Sequence, residues 1–181
     1  GQVQKDIEEV EPIVRNADIL SFDVSAIRQA EAPANKNASP NGFYNEEACQ
    51  ITRYAGMSDK LTSIGFYEIN PELDSNGITA HGVAQMIWYF IDGYNHRKND
   101  FPIGSRKTYL KYMVNMQEGK NEVTFYKSDK SERWWMDVPF PSHRKIKFER
   151  HLLVPCSYQD YKTACSNEVP NRWWKTFQKL S

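Results

Sequence analysis

Apolar residues recur along this chain in two different rhythms, and the change near residue 100 divides it into two parts. The run Ala17-Asp18-Ile19-Leu20-Ser21-Phe22-Asp23-Val24 is short and rich in apolar side chains, the pattern of a strand buried on both faces. A loop rich in Ala, Asn and Pro follows from Ala30 to Gly42. Asn45 is placed to cap a helix, in which Ala48, Ile51 and Ala55 recur at helical spacing until Gly56 offers a stop. A second strand is expected over Leu61–Tyr67, ending in Glu68-Ile69-Asn70-Pro71, where the proline has no N–H with which to continue a ladder. Thr79 is placed to cap a further helix whose Val83, Ile87, Phe90, Ile91 and Tyr94 form one stripe suited to covering a sheet. Strand, helix, strand, helix reads as a parallel α/β layer.

Beyond Tyr109 the pattern becomes one of short strands: Tyr109–Val114, Glu122–Tyr126, Arg133–Val138 and Lys145–Arg150 read as a β-meander, its first pair joined through Gln117–Asn121. Two short helices are expected near Ser157–Ser166 and Val169–Leu180, the second with Pro170 in its first turn. The expected domains are therefore 1–98, an α/β unit, and 99–181, a β-rich extension ending in helices. Two parallel strands cannot bury their own faces and edges. The first part of that sheet is therefore expected to lie outside this chain, as in a truncated or proteolysed piece of a longer protein, with Gly1 consistent with a tag scar.

Composition narrows the partners. Of 181 residues, 23 are basic and 23 acidic, so no net field recruits nucleic acid or an anionic membrane. A content of 40% hydrophobic and 13% aromatic residues is enough to fill a core. No apolar run approaches the roughly 20 residues a membrane span needs; Val83–Ile91 is short and broken by Gln85. Cys49, Cys156 and Cys165 are odd in number and lack CxxC spacing, which argues against a disulfide framework or a structural zinc. With no basic-then-apolar leader visible, a cytoplasmic protein with reduced thiols is expected.

Asp23 carries the most chemical information, because an ionised carboxylate at the end of an apolar strand is costly unless paired, hydrogen-bonded or bound to metal. Glu68 stands at the matching place after the second strand, and ligands of open parallel sheets bind beyond the carboxyl ends of strands. Two uses are open for these acids: convergence on one cleft, or capping a nearby helix or pairing with an arginine. Arg28 and Gln29 lie on the same loop and could face a ligand carboxylate or be solvated. His81 reads as a surface histidine near a helix start rather than a ligand. Trp134-Trp135 and Trp173-Trp174 offer either a partner surface or packing on two faces. The basic stretch from His143 through Lys145, Lys147 and Arg150 to His151 reads as a solvated hairpin face rather than a single-strand binding groove.

Several ordered motifs together resemble the arginase, agmatinase and formimidoylglutamase (ureohydrolase) family: Ser21-Phe22-Asp23-Val24, the Ala32-Pro33 loop, Pro40-Asn41-Gly42-Phe43, and Glu68-Ile69-Asn70-Pro71-Glu72-Leu73-Asp74 with Gly77 and Thr79-Ala80. The resemblance covers roughly residues 5–95 and is greatest to formimidoylglutamases. It implies an α/β fold, the C-terminal part of a three-layer parallel-sheet ureohydrolase, which the small β-meander plus a two-helix extension read from the pattern then follows. It also implies a two-manganese hydrolase of linear amidines or guanidines, with Asp23 as a metal ligand and Glu68 as the acid that contacts the substrate's amidine group. Ser25 stands where the family has a second ligand aspartate, and a neutral hydroxyl is a poor substitute for an anionic oxygen on Mn²⁺. No Asp-x-His-x-Asp string occurs, His81, His96, His143 and His151 all lying in other contexts. This chain alone is therefore expected to bind no manganese and to be inactive, its partner being the missing N-terminal half. The alternative is a non-catalytic pseudoenzyme, with a protein partner or self-association through the Trp-rich extension.

Overall fold

The computed structural model describes residues 6–116, 121–139 and 153–180. The chain divides into two compact units, Gly1–Lys98 and Asn99–Ser181.

In the first unit a short helix α1 (Glu11–Arg15) leads into strand β1 (Ile19–Asp23). Helix α2 (Asn45–Gly56), strand β2 (Ser63–Tyr67) and helix α3 (Ile78–Asn95) follow. β1 and β2 pair in parallel, with Ile19 opposite Ser63 and Asp23 opposite Tyr67. Strand β1 is not buried on both faces. Phe22 is buried and Leu20 partly so, whereas Ile19, Ser21 and Asp23 are exposed, because a period of two sends alternate side chains to opposite faces. The inward face packs Phe22 and Phe66 on a core with Val24, Ile27, Ala48, Ile51, Leu61 and Met86.

Three local expectations are corrected. Asn45 is the first residue of α2 rather than its cap; its N–H donates to the Glu31 carboxylate, and the Tyr44 N–H donates to Glu47 Oε2 at 2.7 Å. Thr79 does not cap α3: Asp74 does, accepting from the N–H groups of Thr79 at 3.1 Å and Ala80 at 2.8 Å, with Gly77 turning the chain at φ 67°. Gly56 is no left-handed stop, since helix α2 ends in an ordinary right-handed Met57. Its missing side chain admits α3: a Cβ on Gly56 would lie 2.1 Å from the Phe90 carbonyl oxygen, and one on Gly93 2.2 Å from that of Arg53.

This glycine contact also overturns the expected stripe on α3. Thr79, Gly82, Met86 and Gly93 are buried and Val83 and Phe90 half-buried, while Ile87, Ile91 and Tyr94 face outward. Small residues let two helices approach closely, so α2 takes the small face and leaves the large one open. No helix among the described residues is long and apolar enough to cross a membrane.

The second unit is an antiparallel sheet of strands β3 (Leu110–Met116), β4 (Asn121–Lys127), β5 (Trp134–Met136) and β6 (Val154–Cys156), in that spatial order. Helices α4 (Tyr158–Cys165) and α5 (Asn171–Leu180) complete it. The stretch Lys145–Arg150, expected as the fourth strand, and the basic run His143–His151 lie outside the described residues. β6 itself carries Pro155, a residue that argues against a strand in the sequence alone. One sheet face packs Phe125, Met136, Val154 and Cys156 on Trp173 and Leu180 of α5; the other sets Trp135 and Tyr126 with Tyr109 and Leu153. Trp134 and Trp135 thus do point to opposite faces, but neither stands free: Trp134 stacks on Tyr161 at 4.8 Å and meets Tyr112 in a tilted pair at 5.2 Å. Trp174, by contrast, is exposed.

Candidate functional site

The carboxyl ends of β1 and β2 place the two acids at the same end of the sheet. Asp23 is the last residue of β1 and pairs in register with Tyr67, the last of β2, so Glu68 follows one residue beyond that rung. Glu68 has φ 63°, a left-handed conformation that a non-glycine residue adopts at some cost and that collects at functional positions. Its side chain is exposed.

The loop after β1 is fastened across this end of the sheet by backbone groups. The Asn70 N–H donates to the Ala34 carbonyl at 2.7 Å, and the Ala34 N–H donates to Thr79 Oγ1 at 3.0 Å. Ala34 and Thr79 are buried, so these bonds form away from competing water. Strand β1, the loop, the Glu68 segment and the start of α3 are thereby held as one assembly. Sequence reasoning assigned Thr79 to a cap and overlooked Ala34; no periodic pattern marks a buried loop alanine.

Asp23 already has a task. Its Oδ1 accepts the Ser25 N–H at 2.8 Å, closing a 3-10 turn over Val24–Ala26. This is the capping use that the sequence left open, and it places the Ser25 backbone directly beside the carboxylate. Arg28 is also committed: its guanidinium lies 3.2 Å from the Tyr44 ring centroid and its Nη2 donates to the Gly42 carbonyl at 3.4 Å. Stacked there, it serves the loop instead of facing a ligand. Gln29 and His81 are exposed.

Among the described residues, no three His, Cys, Asp or Glu side chains converge as a metal cage. One carboxylate beside one neutral hydroxyl does not fit a two-manganese centre, which needs several anionic or imidazole donors. Any such centre draws its other ligands from outside the described residues. A cleft of about 660 Å³ between α2 and α3, lined by Asn45, Cys49, Gln50, Gln85, Trp88 and Tyr89, includes neither Asp23 nor Glu68. Burial, then the nearby Glu46 charge, pushes the Cys49 thiol above its ordinary range, so it is no ready nucleophile there.

The arginase family model matches residues 1–92, half of the chain. The chain belongs to the arginase family. Relatives include formimidoylglutamase from Staphylococcus haemolyticus, 28% identical over 86 residues that cover 46% of this chain and 28% of that protein. Formimidoylglutamase from Staphylococcus aureus is 27% identical over 84 residues, 45% of this chain and 27% of the relative. The chain thus spans under a third of the length of these curated relatives. Among solved structures, formimidoylglutamase from Bacillus subtilis aligns at 22% identity with a TM-score of 0.48, covering 53% of this chain and 33% of that one. Formiminoglutamase from Trypanosoma cruzi with Mn²⁺₂ aligns at 21% identity and a TM-score of 0.42, covering 44% and 27%.

Proposed function

We propose that this chain is the C-terminal part of a ureohydrolase-like protein with a three-layer parallel sheet, and that the whole protein performs metal-dependent hydrolysis of a C–N bond in a linear amidine or guanidine resembling formimidoylglutamate. The observation that carries this reading is the register of β1 and β2 inside the family-matched region, which sets Asp23 and Glu68 at one strand end. Glu68 would contact the amidinium group of the substrate, where a carboxylate offers a charge-assisted hydrogen bond. Asp23 would contribute one oxygen to a metal centre whose other donors lie on the missing N-terminal half. The chain alone is inactive in this reading, and the protein is cytoplasmic.

A second reading is favoured by Ser25, which puts a neutral hydroxyl at a position where the motif resemblance calls for an anion. It makes the protein a non-catalytic scaffold for binding or assembly through the Trp-rich extension. The two separate on the full-length protein loaded with manganese: metal content is measured, then hydrolysis of formimidoylglutamate, agmatine and arginine. Stoichiometric metal with turnover supports the hydrolase, and Glu68→Gln should then lower kcat/KM on the preferred amidine by at least about a hundredfold. Neither metal nor turnover supports the scaffold.

A further inference from the structure

Glu68 keeps its left-handed backbone between two fixed points. Before it, Phe66 and Tyr67 pair with Phe22 and Asp23 in the ladder of β1 and β2. After it, the Asn70 N–H donates to the Ala34 carbonyl at 2.7 Å, and Ile69 between them packs on the core. A strained residue persists only where its surroundings over-determine it. The second fixed point therefore decides whether the Glu68 carboxylate stays in place.

That point is only as firm as Ala34, which lies in the loop between β1 and α2. Two isolated bridges, Ile27 to Phe43 and Arg28 to Ser39, tie the ends of this loop and leave Ala34 between them. Its N–H is taken instead by Thr79 Oγ1 at 3.0 Å, from the first turn of α3. Because Asp74 caps that helix, the Thr79 hydroxyl is not needed as a cap and can serve the loop. Thr79 is anchored in turn, its own N–H donating to Asp74 Oδ1 at 3.1 Å. Ala34 is 0% exposed and Thr79 2%, so no water can replace the bond between them if it is lost.

We infer that Thr79 is a positioning residue for Glu68, holding that acid in place through Ala34 and Asn70; its part in catalysis rests on the reading of Glu68 as the acid that contacts the substrate. A side chain far from the reacting atoms can act in this way, because a small misplacement of an orienting group is costly in rate.

The first test is amide hydrogen exchange of the 181-residue chain, resolved at Asn70 by NMR. Thr79→Val keeps the shape and removes the acceptor, and should speed exchange at Asn70 at least about tenfold, with Thr79→Ser within about twofold of the wild type. Thr52→Val is the matched control: it removes another buried hydroxyl of the same unit, bonded to the Cys49 carbonyl at 2.9 Å, and should leave Asn70 unchanged. The second test is kinetic, on the full-length protein loaded with manganese. Thr79→Val should lower kcat/KM on the preferred amidine at least about tenfold and Thr79→Ser should restore it, whereas in a Glu68→Gln background the same change should cost less than about twofold. A merely structural threonine would lower the thermal midpoint and leave kcat/KM of the folded protein alone. Exchange at Asn70 indifferent to Thr79→Val, equal acceleration by Thr52→Val, or a full loss on top of Glu68→Gln would each overturn the inference. A wild type without turnover would sink the hydrolase reading instead, and the exchange measurement would still decide whether Thr79 holds the Glu68 segment.

Discussion

The two units solve the same problem in opposite ways. The second closes its sheet: four antiparallel strands place Trp135 and Tyr126 on one face and Phe125 and Met136 on the other, and both faces have packing partners. The first leaves a two-stranded parallel sheet with Ile19 and Tyr67 exposed, and a helix with a bare apolar seam. Antiparallel strands are joined by short connections and can be completed locally, whereas parallel strands need crossovers and cover from further elements. A unit of the first kind is finished by whatever docks on it; one of the second kind finishes itself.

The contrast breaks first at the largest fully buried side chain. Trp135 is 1% exposed, so Trp135→Ala should destabilise the second unit by about 3–5 kcal/mol, leaving the first unit's unfolding in place. Denaturant unfolding followed by tryptophan fluorescence checks this, since four of the five tryptophans belong to the second unit. The reciprocal change is Gly93→Leu, which forces a side chain onto the Arg53 carbonyl and should cost about 3 kcal/mol in the first unit. Here the helical circular dichroism should fall at lower denaturant while the fluorescence transition stays where it was.

Alkaline pH should also separate the units. Burial, above all, pushes Tyr109 up to about 12 and Tyr126 up to about 12, both from an ordinary 10.0. The folded state thus holds these protons more tightly than the unfolded chain. Their contribution is fully present below pH 10.0 and is lost as pH rises towards about 12, on the order of 2 kcal/mol for each tyrosine. Tryptophan fluorescence, carried mostly by the second unit, should change in that window, and Tyr126→Phe should move that change. The smallest effect is expected at Asp74→Ala, which removes the α3 cap and should slightly lower the thermal midpoint of the first unit.

Much of the first unit was legible because it is written in local signals. β1 and β2 are short apolar runs bounded by turn residues, and Asp23 and Glu68 are acids at their ends, so elements and candidate site follow from position alone. Glu68's left-handed backbone was not legible, since nothing in Glu68-Ile69-Asn70-Pro71 demands it. Arg28 leaves both a ligand and solvent open in the sequence, because its stacking partner, Tyr44, lies beyond a long loop. β6 was hidden by Pro155, a residue the ladder tolerates at this short strand although propensity argues against it.

By itself the sequence determined the family, the alternation of strand and helix, and the acids that stand at the strand ends. These are carried by side-chain type and spacing, which any fold of this chain must respect. Only the tertiary structure decided which face of α3 is covered, that Asp74 rather than Thr79 caps it, and that Asp23 spends one oxygen on Ser25. Periodicity says that a helix has an apolar stripe, and α3 has two. The choice between them fell to Gly56 and Gly93, whose lack of a side chain permits a backbone contact that a hydrophobic pattern cannot record.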